Sequence, residues 1–261
     1  MANATRPLVV GNWKMNLDFV EALHLVQQLG LLMKNRPVEH TDVVVAPPFV
    51  DLRTVSSILD SERLTISLGA QHVNPNDNGA YTGEISTSML TRLNVEWVIV
   101  GHSERRAHYD MTDGVVADTL RAVVRAGQHA ILCVGESSTQ RDAGEYEEFV
   151  RAQLASALTG LEERFHSWVT VAYEPLWAIG TGVNATAEQV REMTAFIRGV
   201  MTSLGLASPQ VLYGGSVNPD NAGTLVREGE VDGFLVGGAS LKAESFYAIL
   251  QACDDCYAIK R

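Results

Sequence analysis

Short apolar runs recur along the chain, and between them apolar residues return at helical spacing. The runs lie at residues 7–11, 42–46, 65–70, 97–100, 130–134, 169–173, 211–213 and 234–236. They are rich in Val, Ile and Leu and do not alternate strictly with polar residues, which predicts strands buried on both faces, as in a parallel sheet. A helix is predicted over 18–34 after the first run, and another from about Asp51, beyond Pro47-Pro48. The clearest helix lies between the sixth and seventh runs, where Val190, Met193, Ile197, Val200 and Leu204 recur at three- and four-residue steps.

Strand and helix therefore alternate over the whole length. That leaves an open doubly wound sheet or a closed parallel (β/α)8 barrel. Eight units in 261 residues favour the barrel. No Gly-x-Gly-x-x-Gly opens the first helix, which weakens the nucleotide-binding alternative. With no linker, low-complexity segment or composition shift, residues 1–261 are expected to form a single domain.

Composition narrows the function. Hydrophobic residues make up 46% of the chain, and mean hydropathy is +0.03, as in a globular protein. A net charge of -11 argues against a nucleic-acid partner and against an anionic membrane. A small anion remains possible, because backbone N–H groups bind phosphate whatever the global charge. The three cysteines, Cys133, Cys253 and Cys256, form no disulfide framework and suit a reducing compartment. Cys253 and Cys256 have redox-motif spacing, but neighbouring acids and a helix C-terminus disfavour a thiolate, so they read as bystanders. The apolar stretch from Leu8 to Val10 is too short for a leader or a membrane span, and a cytoplasmic location is expected. No cluster has metal-ligand spacing, so no metal is expected.

Candidate chemistry falls just after the strands, which in a barrel gathers it on one face. The sixth run ends on Glu174, and Pro175 then fixes the exit of the chain. Leu176, Trp177, Ala178 and Ile179 follow, with Trp177 near the tip, and then Gly180, Thr181, Gly182, Val183, Asn184 and Ala185. An apolar loop between proline and glycine reads as a lid, against the plainer reading of a strand-to-helix connection. Asn12 and Lys14 follow the first strand, and Lys14 reads either as an anion-binding group or as a solvated lysine. His102 follows the fourth strand through Gly101 and opens a polar turn that fits the start of a short helix. A helix N-terminus would favour a neutral imidazole there. Glu104 and Arg105 fit a structural ion pair. Gly214-Gly215-Ser216 and Gly237-Gly238 each follow a strand and precede a helix, an arrangement that holds phosphate in barrels, although a tight turn alone would use the same glycines. Gln71 and Glu136 also follow strands. The polar loop over 72–84 is long enough to suggest an interaction.

These motifs resemble the triosephosphate isomerase family over essentially the whole chain. The matching stretches are Gly11-Asn12-Trp13-Lys14-Met15-Asn16, Gly79-Ala80-Tyr81-Thr82-Gly83-Glu84, Gly101-His102-Ser103-Glu104-Arg105-Arg106 and Cys133-Val134-Gly135-Glu136. Further matches are Tyr173-Glu174-Pro175 through Gly182, Tyr213-Gly214-Gly215-Ser216 and Val236-Gly237-Gly238-Ala239. The resemblance implies a TIM barrel interconverting dihydroxyacetone phosphate and D-glyceraldehyde 3-phosphate through an enediolate, in glycolysis and gluconeogenesis, without metal or organic cofactor. It implies Glu174 as base, His102 as neutral electrophile, Lys14 and Asn12 as stabilisers of the enediolate, and Glu104 as their support. It implies phosphate binding by Asn12, Lys14, Gly180, Ser216, Gly237 and Gly238, and a closing lid from Pro175 to Ala185. A homodimer is implied too, with the loop around Thr82 entering the neighbouring subunit near Lys14 and His102. Val183-Asn184-Ala185 departs from the Lys-Thr-Ala that many members carry, which bears on the opening rate of the lid. Two other readings compete: a different sugar-phosphate barrel enzyme using a Schiff-base lysine, and a sensor of phosphometabolites. No lysine ends a strand as Glu174 does, and a sensor would need neither Glu174 nor Lys14.

Overall fold

The computed structural model describes residues 6–179 and 184–258. The first unit is β1 (Leu8–Asn12) and α1 (Phe19–Asn35), and the second β2 (Asp42–Ala46) and α2 (Leu52–Glu62). Then come β3 (Ser67–Ala70) with α3 (Thr87–Thr91), and β4 (Val95–Val100) with α4 (Ser103–His108) and α5 (Asp113–Arg125). The next are β5 (His129–Val134) with α6 (Ser138–Asp142) and α7 (Tyr146–Leu158), and β6 (Val169–Tyr173) with α8 (Ala187–Ser203). β7 (Gln210–Tyr213) leads to α9 (Ala222–Glu228), and β8 (Gly233–Val236) to α10 (Ala243–Ala258). The eight strands are parallel and close in sequence order, with Leu8 of β1 beside Gly233 of β8.

The local chemistry explains where helices begin. Asp18 accepts from the N–H groups of Val20 and Glu21, and Glu21 returns a carboxylate to the Asp18 N–H, closing a capping box. Thr186 and Gln189 do the same before α8. After Pro47-Pro48 the chain makes one 3-10 turn, Phe49–Asp51, so the second α-helix starts at Leu52, just beyond the expected Asp51. Likewise α8 stops at Ser203, and Leu204 forms its C-cap.

Burial on both faces of the strands produces two apolar layers. Leu8, Val10, Val44, Ile99, Ala172 and Leu235 belong to the cluster inside the barrel. A larger cluster, including Val9, Val45, Val98 and Val171, packs strands against helices. Alternate residues of a strand share a face. Asn12 is thus the next inward position after Leu8 and Val10, and Glu174 the next after Thr170 and Ala172. This two-residue period delivers an amide and a carboxylate to the carboxyl-terminal mouth. Among the described residues, no helix is long and apolar enough to cross a membrane.

Candidate active site at the carboxyl ends of the strands

At the barrel mouth a cavity of about 350 Å3 is lined by Asn12, Lys14, His102, Glu174, Ser216, Gly237 and Gly238, with Gly214, Gly215 and Ile179 among its other walls. Eight of the expected site residues, counting Ile179 of the lid, are therefore gathered in one place. Glu104 joins them through Lys14, whose ammonium donates to its carboxylate at 2.6 Å. Gly180, Thr181, Gly182 and Val183 lie outside the described residues. Thr82 does not line the cavity and is exposed in the loop between β3 and α3.

Glu174 is 2% exposed, and each of its oxygens faces a nitrogen. Oε1 is 3.1 Å from Nε2 of His102, and Oε2 accepts from the Ser103 N–H at 3.0 Å. Its own N–H still donates to the Val134 carbonyl at 2.8 Å, which anchors the backbone one residue beyond β6. Gly135 makes that approach possible, since a Cβ there would stand 1.8 Å from the Glu174 carbonyl oxygen.

His102 is the N-cap of α4, and its Nδ1 accepts the N–H of Glu104 at 3.2 Å. That bond assigns the ring hydrogen to Nε2, on the side facing Glu174 and the cavity.

Lys14 sits at a left-handed φ of 53°, and its carbonyl accepts from Gln71 at 2.7 Å. Its N–H donates to Oδ1 of Asn12 at 3.1 Å. Burial alone would raise the Glu104 carboxyl, but the hydrogen bond and charge of Lys14, with His102 and His108 behind them, hold it below its ordinary range. The expected Glu104–Arg105 ion pair is not formed. Adjacent residues on a helix point apart, so Glu104 turns to Lys14 while Arg105 lies over the Tyr109 ring, 4.3 Å from its centroid.

The start of the lid also differs from expectation. Leu176–Ala178 form a 3-10 turn against the barrel, with Ala178 buried, so Trp177 is at the base of the segment and not near its tip. Its indole N–H donates to Oε1 of Glu136 at 2.7 Å. Farther along, Asn184 is exposed and Ala185 packs against the outer apolar layer. The glycine turns differ as well. After Gly214-Gly215-Ser216 an irregular stretch precedes α9 at Ala222, and Gly238 begins a single 3-10 turn, Gly238–Leu241, before α10.

Two contributors had no assigned role in the sequence reading. Ser103 acts through its backbone N–H, which carries no side-chain signal. Glu136 follows β5 much as Glu174 follows β6, and that shared position was the available clue. Burial, with the charge of Glu174 behind it, pushes the Cys133 thiol well above its usual range, and burial pushes Cys253 to about 12. Among the described residues, no group of three or more His, Cys, Asp or Glu could hold a metal ion.

Fold and site together define a (β/α)8 barrel with a buried carboxylate, an imidazole and an ammonium gathered at the carboxyl ends of its strands. A family model described as Triosephosphate isomerase matches residues 7–253. The chain is 46% identical over 248 residues to the triosephosphate isomerase of Rhodococcus jostii, covering 93% of this chain and 95% of that protein. It is 44% identical to the proteins of the same name from Nocardia farcinica and Mycobacterium tuberculosis, covering 93% and 92% of this chain and 95% and 94% of theirs. The chain belongs to the triosephosphate isomerase family.

Proposed function

We propose that this protein interconverts dihydroxyacetone phosphate and D-glyceraldehyde 3-phosphate, as a step of glycolysis and gluconeogenesis in the cytoplasm. The observation that carries this reading is the buried Glu174 carboxylate, which accepts from the Ser103 N–H and stands 3.1 Å from His102 Nε2 at the rim of the cavity. Glu174 is the base that takes the carbon-bound proton and returns it to the neighbouring carbon. To do so it leaves the Ser103 N–H and turns into the cavity. His102 then offers Nε2–H to the substrate oxygens, where negative charge develops. Lys14 and Asn12 stabilise that charge, and Glu104 keeps the ammonium in position.

Asn12, Lys14, Ser216, Gly237, Gly238 and the N–H of Gly180 hold the phosphate. Pro175 to Ala185 forms the lid that excludes water while the enediolate exists. Residues 1–261 act as one domain, with no resident metal or organic cofactor. Two copies form a homodimer, the loop around Thr82 entering the neighbouring subunit. Exposed Met15, Tyr81 and Met89 are the kind of apolar surface that a second copy would cover.

A coupled isomerase assay on the purified chain tests the activity. Glu174→Asp retracts the carboxylate by one methylene, roughly an ångström, and is expected to lower kcat about 10²-fold with a smaller change in KM. An unchanged kcat would remove Glu174 from the chemistry. Sedimentation velocity tests the assembly: a dimer is expected, and a monomer with full activity would overturn it.

A further inference from the structure

A second cavity, of about 630 Å3, opens on the flank of the barrel between α3 and α5. It is larger than the cavity at the mouth, at about 350 Å3, and shares no lining residue with it. Arg92, the C-cap of α3, and Arg125, the last residue of α5, line it from two sides. Asp77 and Asn78, from the loop between β3 and α3, line a third, with Ser88 and Thr91 among the remaining walls.

The two arginines stand out in a chain whose net charge is -11. Arg6, Arg36, Arg106 and Arg198 are paired with Asp42, Asp255, Asp113 and Asp232. Arg121, one turn before Arg125 on α5, donates to the Thr159 carbonyl at 3.0 Å. Among the described residues, the guanidiniums of Arg92 and Arg125 have neither an ion pair nor a hydrogen bond. They outnumber the one carboxylate on the wall, that of Asp77, which already accepts from the Thr87 hydroxyl at 3.3 Å. A cation at the end of a helix complements the carbonyls there, which accounts for one arginine at each terminus. It gives no reason for both to line one cavity with room for a small molecule. A guanidinium presents five donors in a planar fork that matches the oxygens of a phosphoryl or carboxyl group.

We propose that the flank cavity binds a small molecule carrying two anionic groups, phosphoryl or carboxyl, with Arg92 and Arg125 as its charge partners. Asp77 and Asn78 belong to the loop around Thr82, whose side-chain tie at this point runs to α3 through Thr87. An anion held by Arg125 adds a tie to α5, steadies the loop and favours the dimer. That consequence for assembly rests on the homodimer reading, whereas binding itself does not.

The test titrates the full chain by calorimetry with inorganic pyrophosphate, and with succinate to separate phosphoryl from carboxyl recognition. Parallel titrations use Arg92→Gln, Arg125→Gln and the two together. Inhibition of the isomerase assay by pyrophosphate reads the mouth of the barrel, and should be equal in parent and variants. Calorimetry should show binding to the parent that either substitution weakens about tenfold and the double variant loses. Arg125→Lys should keep part of the affinity, and binding should weaken as salt rises. Both side chains are exposed, so the variants should melt as the parent does. Sedimentation should show a several-fold tighter dimer with saturating pyrophosphate in the parent and no change in the double variant. Parental binding in the double variant would overturn the proposal. So would a parent with no saturable binding beyond that at the mouth, for either probe, up to about 10 mM. Succinate held more tightly than pyrophosphate would assign the cavity to dicarboxylates. Binding without a tighter dimer would overturn the link to the loop alone.

Discussion

The two ends of the barrel both carry buried polar side chains, but they use them differently. At the amino-terminal end these groups are directed at one another. Thr170 donates to Gln210 at 2.8 Å, Gln210 donates to the Arg6 carbonyl at 2.8 Å, and the His129 ring stacks between Trp97 and Trp168 at 4.4 and 4.6 Å. A cavity of about 300 Å3 opens there too, yet both ring nitrogens of His166 on its wall already face the carbonyls of Gly205 and Leu161. At the carboxyl-terminal end, Lys14, His102 and Glu174 are paired while also lining the cavity. Cavity size does not separate the ends. What separates them is that one wall of the carboxyl-terminal cavity brings a carboxylate, an imidazole and an ammonium together, whereas the charge on the amino-terminal cavity's wall is the exposed Glu163.

The largest effect that would break this comparison is expected at Lys14. Lys14→Met removes the ammonium that meets the developing negative charge, and should lower kcat/KM about 10²–10³-fold. Its pair with Glu104 is partly exposed, with side-chain accessibilities of 30% and 45%, so the melting temperature should change little. A loss of activity smaller than roughly tenfold would place the ammonium outside the chemistry.

His72 sharpens the comparison, because it lies at the carboxyl-terminal end without lining the cavity. Burial, and then the charge of Arg105, lower its titration from 6.5 to about 4, with Glu84 pulling weakly the other way. The folded protein therefore disfavours the imidazolium that the unfolded chain accepts. The associated stability is fully present above about 6.5 and is lost as pH falls from there toward 4, by roughly 3 kcal/mol in all. Urea unfolding against pH should show this loss in the parent and a shallower one in His72→Gln. Identical slopes in the two proteins would refute the burial argument. Above pH 7 the variant should retain parental kcat and KM.

The barrel was legible because strands buried on both faces read as unbroken apolar runs, and because helix starts such as Asp18 to Glu21 carry their own caps. Strand ends were less so. β4 begins at Val95, before the expected residue 97, where the β3–β4 register shifts between Leu68 and Gly69. Pairing of that kind depends on the neighbouring strand and leaves no local mark. The same holds at the site. Asn12, Lys14, His102 and Glu174 could be picked out because each follows an apolar run. Their partners could not, because Lys14 meets Glu104 across 90 residues and Glu174 meets the Ser103 N–H across 71. The Glu104–Arg105 expectation failed for the same reason: an adjacent partner is visible in sequence, and the actual one is brought in by closure of the barrel.

The smallest expected effect comes from the amino-terminal end, and it tests the comparison from the opposite side. Thr170 is 5% exposed and occupies the inward row of β6, two positions below Ala172 and four below Glu174. Thr170→Val keeps the branched shape but removes the hydroxyl, leaving Oε1 of Gln210 without the donor it now has. A buried acceptor that loses its donor costs about 1–3 kcal/mol. Gln210 keeps its second bond, from Nε2 to the Arg6 carbonyl, so the loss should fall near the lower limit. A melting temperature lowered by about 2–4 °C is then expected. Activity should not follow, since Ala172 and its inner-layer neighbours separate Thr170 from the carboxylate and neither hydrogen bond reaches the cavity. The decisive measurement pairs calorimetry with kcat and KM on the same preparation. A fall in kcat at an unchanged melting temperature would mean that the amino-terminal network helps to position Glu174, and the two ends could no longer be assigned separate roles.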